Sequence, residues 1–321
     1  KSQSFSITVG AAVTAIAPDP NLTVLATVSM DAPTPWLIGT LLRGPTAAAR
    51  IHGARRLGTY RHAWVTDALG KALNKDKFWA VSAAAARALG RIATPSAKEF
   101  LLKAIKHKHP KVRRSVARAL GSFRDKSTGD ALREWLKKGD PSYFVEAETA
   151  KSLGKTQNEK GLKELKNALK RPSWNDVVGS GVLTGIASYD NTEAVKTILP
   201  LLQSGTAEAL RIAAIKSVST TSILREKVWP ELEKISKESG YRIRLALVDA
   251  AANLGGGRGE QILSELKNAQ GDPRISRKAQ EALERIQKNK PEAEMLSQIR
   301  GDLNVLRRTN EELWAELRSR D

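Results

Sequence analysis

The chain has 321 residues, 41% of them hydrophobic, and a formal charge of +19 from 53 Lys and Arg against 34 Asp and Glu. That apolar content suffices for a sizeable core, while no run approaches the about 18 apolar residues that cross a bilayer. The absence of cysteine excludes disulfides, thiolate nucleophiles and thiolate zinc sites, and leaves the compartment open with the cytoplasm slightly preferred.

The N-terminus carries no Met, no basic n-region and no apolar h-region, so the chain is expected to be a piece of a longer protein. Ser4 to Val9 and Leu22 to Val28 are rich in β-branched residues and alternate, with Pro18 and Pro20 between them. This predicts two strands and a turn, with residues 1–44 forming a β segment and junction left over from a preceding β-domain.

From residue 45 the chain repeats. Helices closing on Ala, Leu and Gly recur at Ala54 to Gly58, Ala86 to Gly90, Ala117 to Gly121, Ala150 to Gly154 and Ala251 to Gly255, and the glycines from Gly58 to Gly154 stand 31 to 33 residues apart. Weaker copies at Ile186-Ala187, Val218-Ser219 and Leu283 to Ile286 complete the register. Glycine suits the left-handed position just past a helix end, which is the role expected of these glycines. A polar or Pro-bearing turn opens each second helix, as in Asp76-Lys77-Phe78-Trp79, His109-Pro110-Lys111, Asp140-Pro141-Ser142-Tyr143 and Asp272-Pro273-Arg274.

Between these marks lie first helices with apolar spacing of three and four: Val65, Leu69, Leu73; Leu162, Leu165, Leu169; Val195, Ile198, Leu202; Val228, Leu232, Ile235. One helix pair cannot bury its apolar stripe alone, so successive pairs must stack. The pattern resembles HEAT-type repeats and predicts an all-α fold: an α-solenoid superhelix of about eight HEAT-like helix pairs over 45–287, with the second helices lining a concave side. Arginines recur early in second helices at Arg50, Arg113, Arg211, Arg244 and Arg277, with Arg114 beside Arg113. They are candidate ligand contacts on that concave side, and inter-repeat ion pairing is the plainer alternative.

After Pro291 the pattern changes. Leu296, Ile299, Leu303, Leu306, Asn310, Leu313 and Leu317 alternate in steps of three and four, a heptad stripe over 291–321 with Asn310 on an a position. It serves either as the seam of a homodimer or as a cap on the last repeat. Seven basic residues balance seven acidic ones after Gln287, so the whole positive excess belongs to the first 287 residues.

Chemistry-bearing motifs are few. His52, His62, His107 and His109 form no H-E-x-x-H, and His107 with His109 reads as a solvated pair at a helix end. Gly255-Gly256-Gly257-Arg258-Gly259 follows a helix and lacks the Lys-Ser or Lys-Thr of a phosphate loop, and Gly179-Ser180-Gly181 lacks the spacing of a nucleophile elbow. No catalytic, cofactor-binding or metal-ligating residue is assigned. Trp79 and Trp174 open second helices and Trp64, Trp135 and Trp229 lie in first helices, which favours packing over base stacking.

The order of parts adds a resemblance. Val13-Thr14-Ala15-Ile16-Ala17-Pro18-Asp19-Pro20-Asn21, then Val24-Leu25, Trp36-Leu37, Leu41-Leu42 and Ala49-Arg50 resemble the junction between β-domain and solenoid in zinc aminopeptidases of the gluzincin type. Asp140 to Val145 and Ser173 to Val178 resemble repeats of members with HEAT-type tails. The resemblance implies a non-catalytic C-terminal domain that gates peptide access to a catalytic domain upstream. Zinc is expected only in that domain, whose H-E-x-x-H has no counterpart here. The alternatives are a basic HEAT-repeat protein binding nucleic acid and a protein-interaction scaffold that dimerises through its tail.

Overall fold

A computed structural model describes residues 6, 8–21, 23–25, 31–238, 240–269, 272–288 and 306. The chain falls into two units, 1–217 with 221–223 and 218–220 with 224–321. In the first unit the pairs are α1 (Thr34–Arg43) with α2 (Ala47–Leu57), α3 (Ala63–Lys75) with α4 (Trp79–Ile92), α5 (Pro95–Lys103) with α6 (Pro110–Leu120), α7 (Lys126–Lys138) with α8 (Tyr143–Thr156), and α9 (Gly161–Ala168) with α10 (Val177–Ala187). They are followed by α11 (Thr192–Ile198) and α12 (Glu208–Val218). In the second unit α13 (Arg225–Ser236) and α15 (Gly256–Asn268) both pack on α14 (Tyr241–Leu254), and α16 covers 273–288. Between Thr34 and residue 288 the described residues form an all-helical α-solenoid of sixteen α-helices, eight successive pairs in chain order as expected from the repeat.

Side chains just before several helices fix where they start. Thr46, Thr94, Asp125 and Asn191 accept from the backbone N–H of Ala49, Ala97, Thr128 and Ala194, which satisfies an amide the helix cannot. The apolar stripes then bury as their spacing requires. Val65, Leu69, Leu73, Leu165, Val228 and Leu232 are fully buried, and so are the motif leucines Leu57, Leu89, Leu120 and Leu153, with Leu254 of the fifth copy buried nearly as well. Each such side chain contributes about 1.5–3 kcal/mol of burial free energy. No described helix is long and apolar enough to cross a membrane.

The second helices α2, α4, α6, α8 and α10 stack consecutively into one layer, and this layer explains the repeat glycines differently from the sequence expectation. Gly58 and Gly121 have ordinary helical φ of −66° and −64°, and Gly90 and Gly154 lie inside α4 and α8. The left-handed positions fall instead on Ala93 and Gln157. What glycine supplies is room: a Cβ on Gly90 would stand 2.8 Å from Cα of Ala119, and one on Gly154 would collide with the carbonyl of Gly185. In these four copies the motif marks where one second helix touches the next, whereas Gly255 of the fifth copy, just past the end of α14, takes the positive φ expected of it, +63°.

The two strands expected at Ser4 to Val9 and Leu22 to Val28 fall largely outside the described residues, and residues 6, 8, 9 and 23–25 are in no strand. The intervening segment docks on the first helix pair. The Thr40 hydroxyl accepts from Ile16 N at 3.0 Å and donates to Ile16 O at 2.6 Å, so one side chain satisfies both backbone polar groups of Ile16. Thr46 donates to Pro20 O at 2.6 Å, and a Cβ on Gly39 would strike the carbonyl of Thr14. Asp19 closes the turn by accepting from the backbone N–H of Thr23 and Val24, bonds that hold its carboxyl below the usual carboxylate range. Of the expected heptad seam, Leu296, Ile299, Leu303, Asn310, Leu313 and Leu317 lie outside the described residues, and Leu306 is exposed.

Candidate functional site

Arginines near the start of second helices reach forward to the next pair. Arg50 of α2 makes a two-pronged bridge to Asp76, with Nε to Oδ2 at 2.8 Å and Nη2 to Oδ1 at 3.1 Å, and also donates from Nη1 to Gly44 O. Arg113 of α6 repeats the arrangement on Asp140, with Nε and Nη2 at 2.8 and 2.7 Å and Nη1 donating to His107 O. Each aspartate also accepts from a backbone amide two residues on, at Phe78 and Ser142, so one carboxylate organises the turn and ties two pairs together.

The intervening rung is uncharged. Ser82 of α4, at the place of Arg50 and Arg113, donates to Ala72 O, and His107, at the place of the aspartates, accepts from His109 N. His109 in turn accepts from Lys111 N and stacks on Trp79 with ring centroids 5.1 Å apart. The two histidines are turn acceptors, and burial holds His107 below the ordinary imidazole value. Among the described residues no group of three or more His, Asp or Glu is placed to hold a metal.

The six arginines singled out in the sequence therefore do not form one ladder. Arg50 and Arg113 are engaged as above. Arg114 is partly exposed, 3.6 Å from Glu148 and over the Phe144 ring. Arg211 is buried and its Nε donates to Leu202 O at 2.7 Å, which takes it off any surface. In the second unit Arg244 Nε is buried without a hydrogen-bond partner, and exposed Arg277 stands 3.6 Å from Glu281 of the same helix. The tryptophans also divide: Trp135 and Trp229 are buried as expected, whereas Trp64 and Trp174 are exposed.

A different basic row covers the second-helix layer. Helix α4 is buried at nearly every position except a stripe through Ala80, Arg87 and Arg91, and the matching stripe of α6 carries Lys111, Arg114 and Arg118. One place recurs inside the repeat motif itself: Arg55, Arg87, Arg118 and Lys151 each follow the motif's alanine. Arg118 holds Glu148 of α8 in a fork, with Nε to Oε1 at 2.7 Å and Nη2 to Oε2 at 2.9 Å. Glu148 is 5% exposed. Burial pushes its carboxyl up, but the bond to Arg118 and the charges of Arg118, Lys151 and Arg114 outweigh this and leave it below the ordinary value. Sequence reasoning missed this row, although its signal lay inside the motif that revealed the repeat. A further cleft of about 530 Å³ opens beside the first rung, lined by Arg43, Arg50, Lys71, Lys75, Asp76 and Lys77.

A family model described as HEAT repeats matches residues 34–115 and 99–182. Similar solved structures include the complex of CpcE and CpcF of phycocyanin lyase from Nostoc sp. PCC7120, at 20% identity over 81% of this chain and 90% of that one, TM-score 0.41. Human deoxyhypusine hydroxylase is similar at 15% identity over 77% and 93%, TM-score 0.36. The archaeal HEAT-like repeats protein from Thermococcus onnurineus NA1 is similar at 17% identity over 81% and 99%, TM-score 0.39. No curated protein matched in sequence. The stretch from 34 to 182, which runs from α1 into α10, is made of HEAT repeats.

Proposed function

We propose that the chain is a non-catalytic HEAT-repeat scaffold that serves as the access wall beside the catalytic domain of a zinc aminopeptidase of the gluzincin type. The observation that carries this reading is the junction. The residues that bear the resemblance come together in one place, with Thr14, Ile16 and Pro20 held by Gly39, Thr40 and Thr46 and with Asp19 locking the turn between them and Val24. A segment fixed in this way would hold whatever it joins in a defined orientation to the first helix pair, which is what a gating wall needs. The chain's partners are then its catalytic domain and that domain's peptide substrates. Zinc would be bound there by H-E-x-x-H, a motif this sequence lacks.

The test compares this chain with one extended by the sequence encoded before Lys1. Hydrolysis of an aminoacyl-coumarin and bound zinc are expected in the extended protein and not in the chain by itself. An extension without H-E-x-x-H and without hydrolysis would refute the aminopeptidase assignment and leave the scaffold.

A further inference from the structure

The repeat supplies its own control for the arginine row. The carboxylate that Arg118 grips belongs to Glu148, five residues past the start of the next second helix. The same place on α6 is Ser115 and on α4 is Ala84. Arg87, one repeat before Arg118, accordingly reaches only the Ser115 hydroxyl, at 3.2 Å. Arg55, one repeat earlier still, has an alanine at the place where a carboxylate would stand. Arg91 turns back over Gly58 and donates to Arg55 O at 2.8 Å.

Among the described residues, none of Arg55, Arg87 and Arg91 makes an ion pair. Three guanidinium groups thus gather on α2 and α4 with a carboxylate's place in the repeat left empty. Burial, and then the charges of Arg55, Arg118 and Arg91, pull the Arg87 guanidinium below its ordinary value, so the cluster strains against its own charge.

From this we infer that Arg55, Arg87 and Arg91 bind the carboxylates of an acidic polypeptide segment laid across the exposed stripe of the second helices. Glu148 is the internal template: it shows which anion this arginine position takes and in which fork geometry. Packed helices lie about 8–10 Å apart, and an extended chain rises about 3.3 Å per residue, so acidic side chains two or three residues apart would meet one helix each.

Duplex nucleic acid fits less well. Of the arginines at recurring places of the second helices, Arg50, Arg113 and Arg118 are taken up by Asp76, Asp140 and Glu148, so the row's arginines without an ion pair are confined to α2 and α4 and do not run along the layer as a phosphate-tracking ladder would. The inference rests on the scaffold part of the function proposed above and is independent of the aminopeptidase part, since its readout is binding by this chain and not hydrolysis.

The experiment is fluorescence anisotropy of a short labelled peptide of alternating Glu and Ser, titrated with the full chain at low salt. Saturable binding is expected, weakened about tenfold or more by Arg87→Gln with unchanged melting temperature. Ser115→Glu should rebuild the Glu148 arrangement one repeat earlier, abolishing peptide binding while raising the melting temperature, whereas Ser115→Gln should keep binding. Absence of peptide binding by the wild type, or undiminished binding by both R87Q and S115E, would overturn the inference. So would tighter binding of a labelled duplex DNA that is lost in the same variants.

Discussion

Two arginine places on the same helices meet different fates. Arg50 and Arg113, near the turn, each find an aspartate on the next pair, whereas Arg55, Arg87 and Arg118, farther along the motif, find Ala84, Ser115 and Glu148. The difference lies in what else the carboxylate does. Asp76 and Asp140 also accept from the turn amides of Phe78 and Ser142, so losing either would undo a turn as well as a bridge. Glu148 organises no turn, and its place is free to change from repeat to repeat. One edge of the layer is therefore architecture, and the stripe beside it is a surface that can be specialised.

The largest effect should come from breaking the architectural rung. Asp140 and Arg113 side chains are 4% and 13% exposed, so Asp140→Ala leaves a mostly buried guanidinium without its partner and is expected to cost about 3–5 kcal/mol in urea unfolding. A cost below about 1 kcal/mol would place this edge with the exposed pairs and erase the contrast.

Glu148→Gln comes next. Its partners are half exposed, at 54% for Arg118 and 44% for Arg114, so a loss of about 1–3 kcal/mol is expected. This variant also fixes a pH dependence. The folded carboxyl titrates below its unfolded value, so its contribution is fully present above the ordinary carboxylate range and is lost as pH falls through the folded value. The stability gap between wild type and E148Q should be constant near neutrality and shrink below about pH 4. A gap that does not change on acidification would show that Glu148 contributes through packing alone.

Much of this fold was legible in the residues. The 31- to 33-residue recurrence of the glycines gave the pairing, and the three-and-four spacing of Val65, Leu69 and Leu73 gave the buried face. Periodicity works there because burial acts on every pair alike. The helix-end role expected of the glycines holds at Gly255 but not at Gly90 or Gly154, because a helix end and a close helix contact both exclude a side chain, and only a position such as that of Gly185 against Gly154 separates them. The strand expectation failed at residues 23–25 because β-branched alternation reports an extended chain, not what satisfies it. Here the Asp19 carboxylate does so, accepting from the backbone N–H of Thr23 and Val24. The arginine row was hidden for a related reason. Arg55, Arg87 and Arg118 look alike in sequence, and what distinguishes them is a residue 28 to 30 positions onward on a neighbouring helix, as in the pairs Arg87 with Ser115 and Arg118 with Glu148.

The smallest effects carry the sharpest comparison. Arg118→Gln strips Glu148 of its fork and leaves it Arg114 at 3.6 Å, which should cost about 1 kcal/mol. Arg87→Gln removes a charge that has no carboxylate and that Arg55, Arg118 and Arg91 repel, so stability should change by less than about 0.5 kcal/mol in either direction. The two substitutions are chemically identical and fall on equivalent places of adjacent helices. A measured difference between them therefore reports the internal carboxylate alone, and equal costs would mean that Ser115 already serves Arg87 as well as Glu148 serves Arg118.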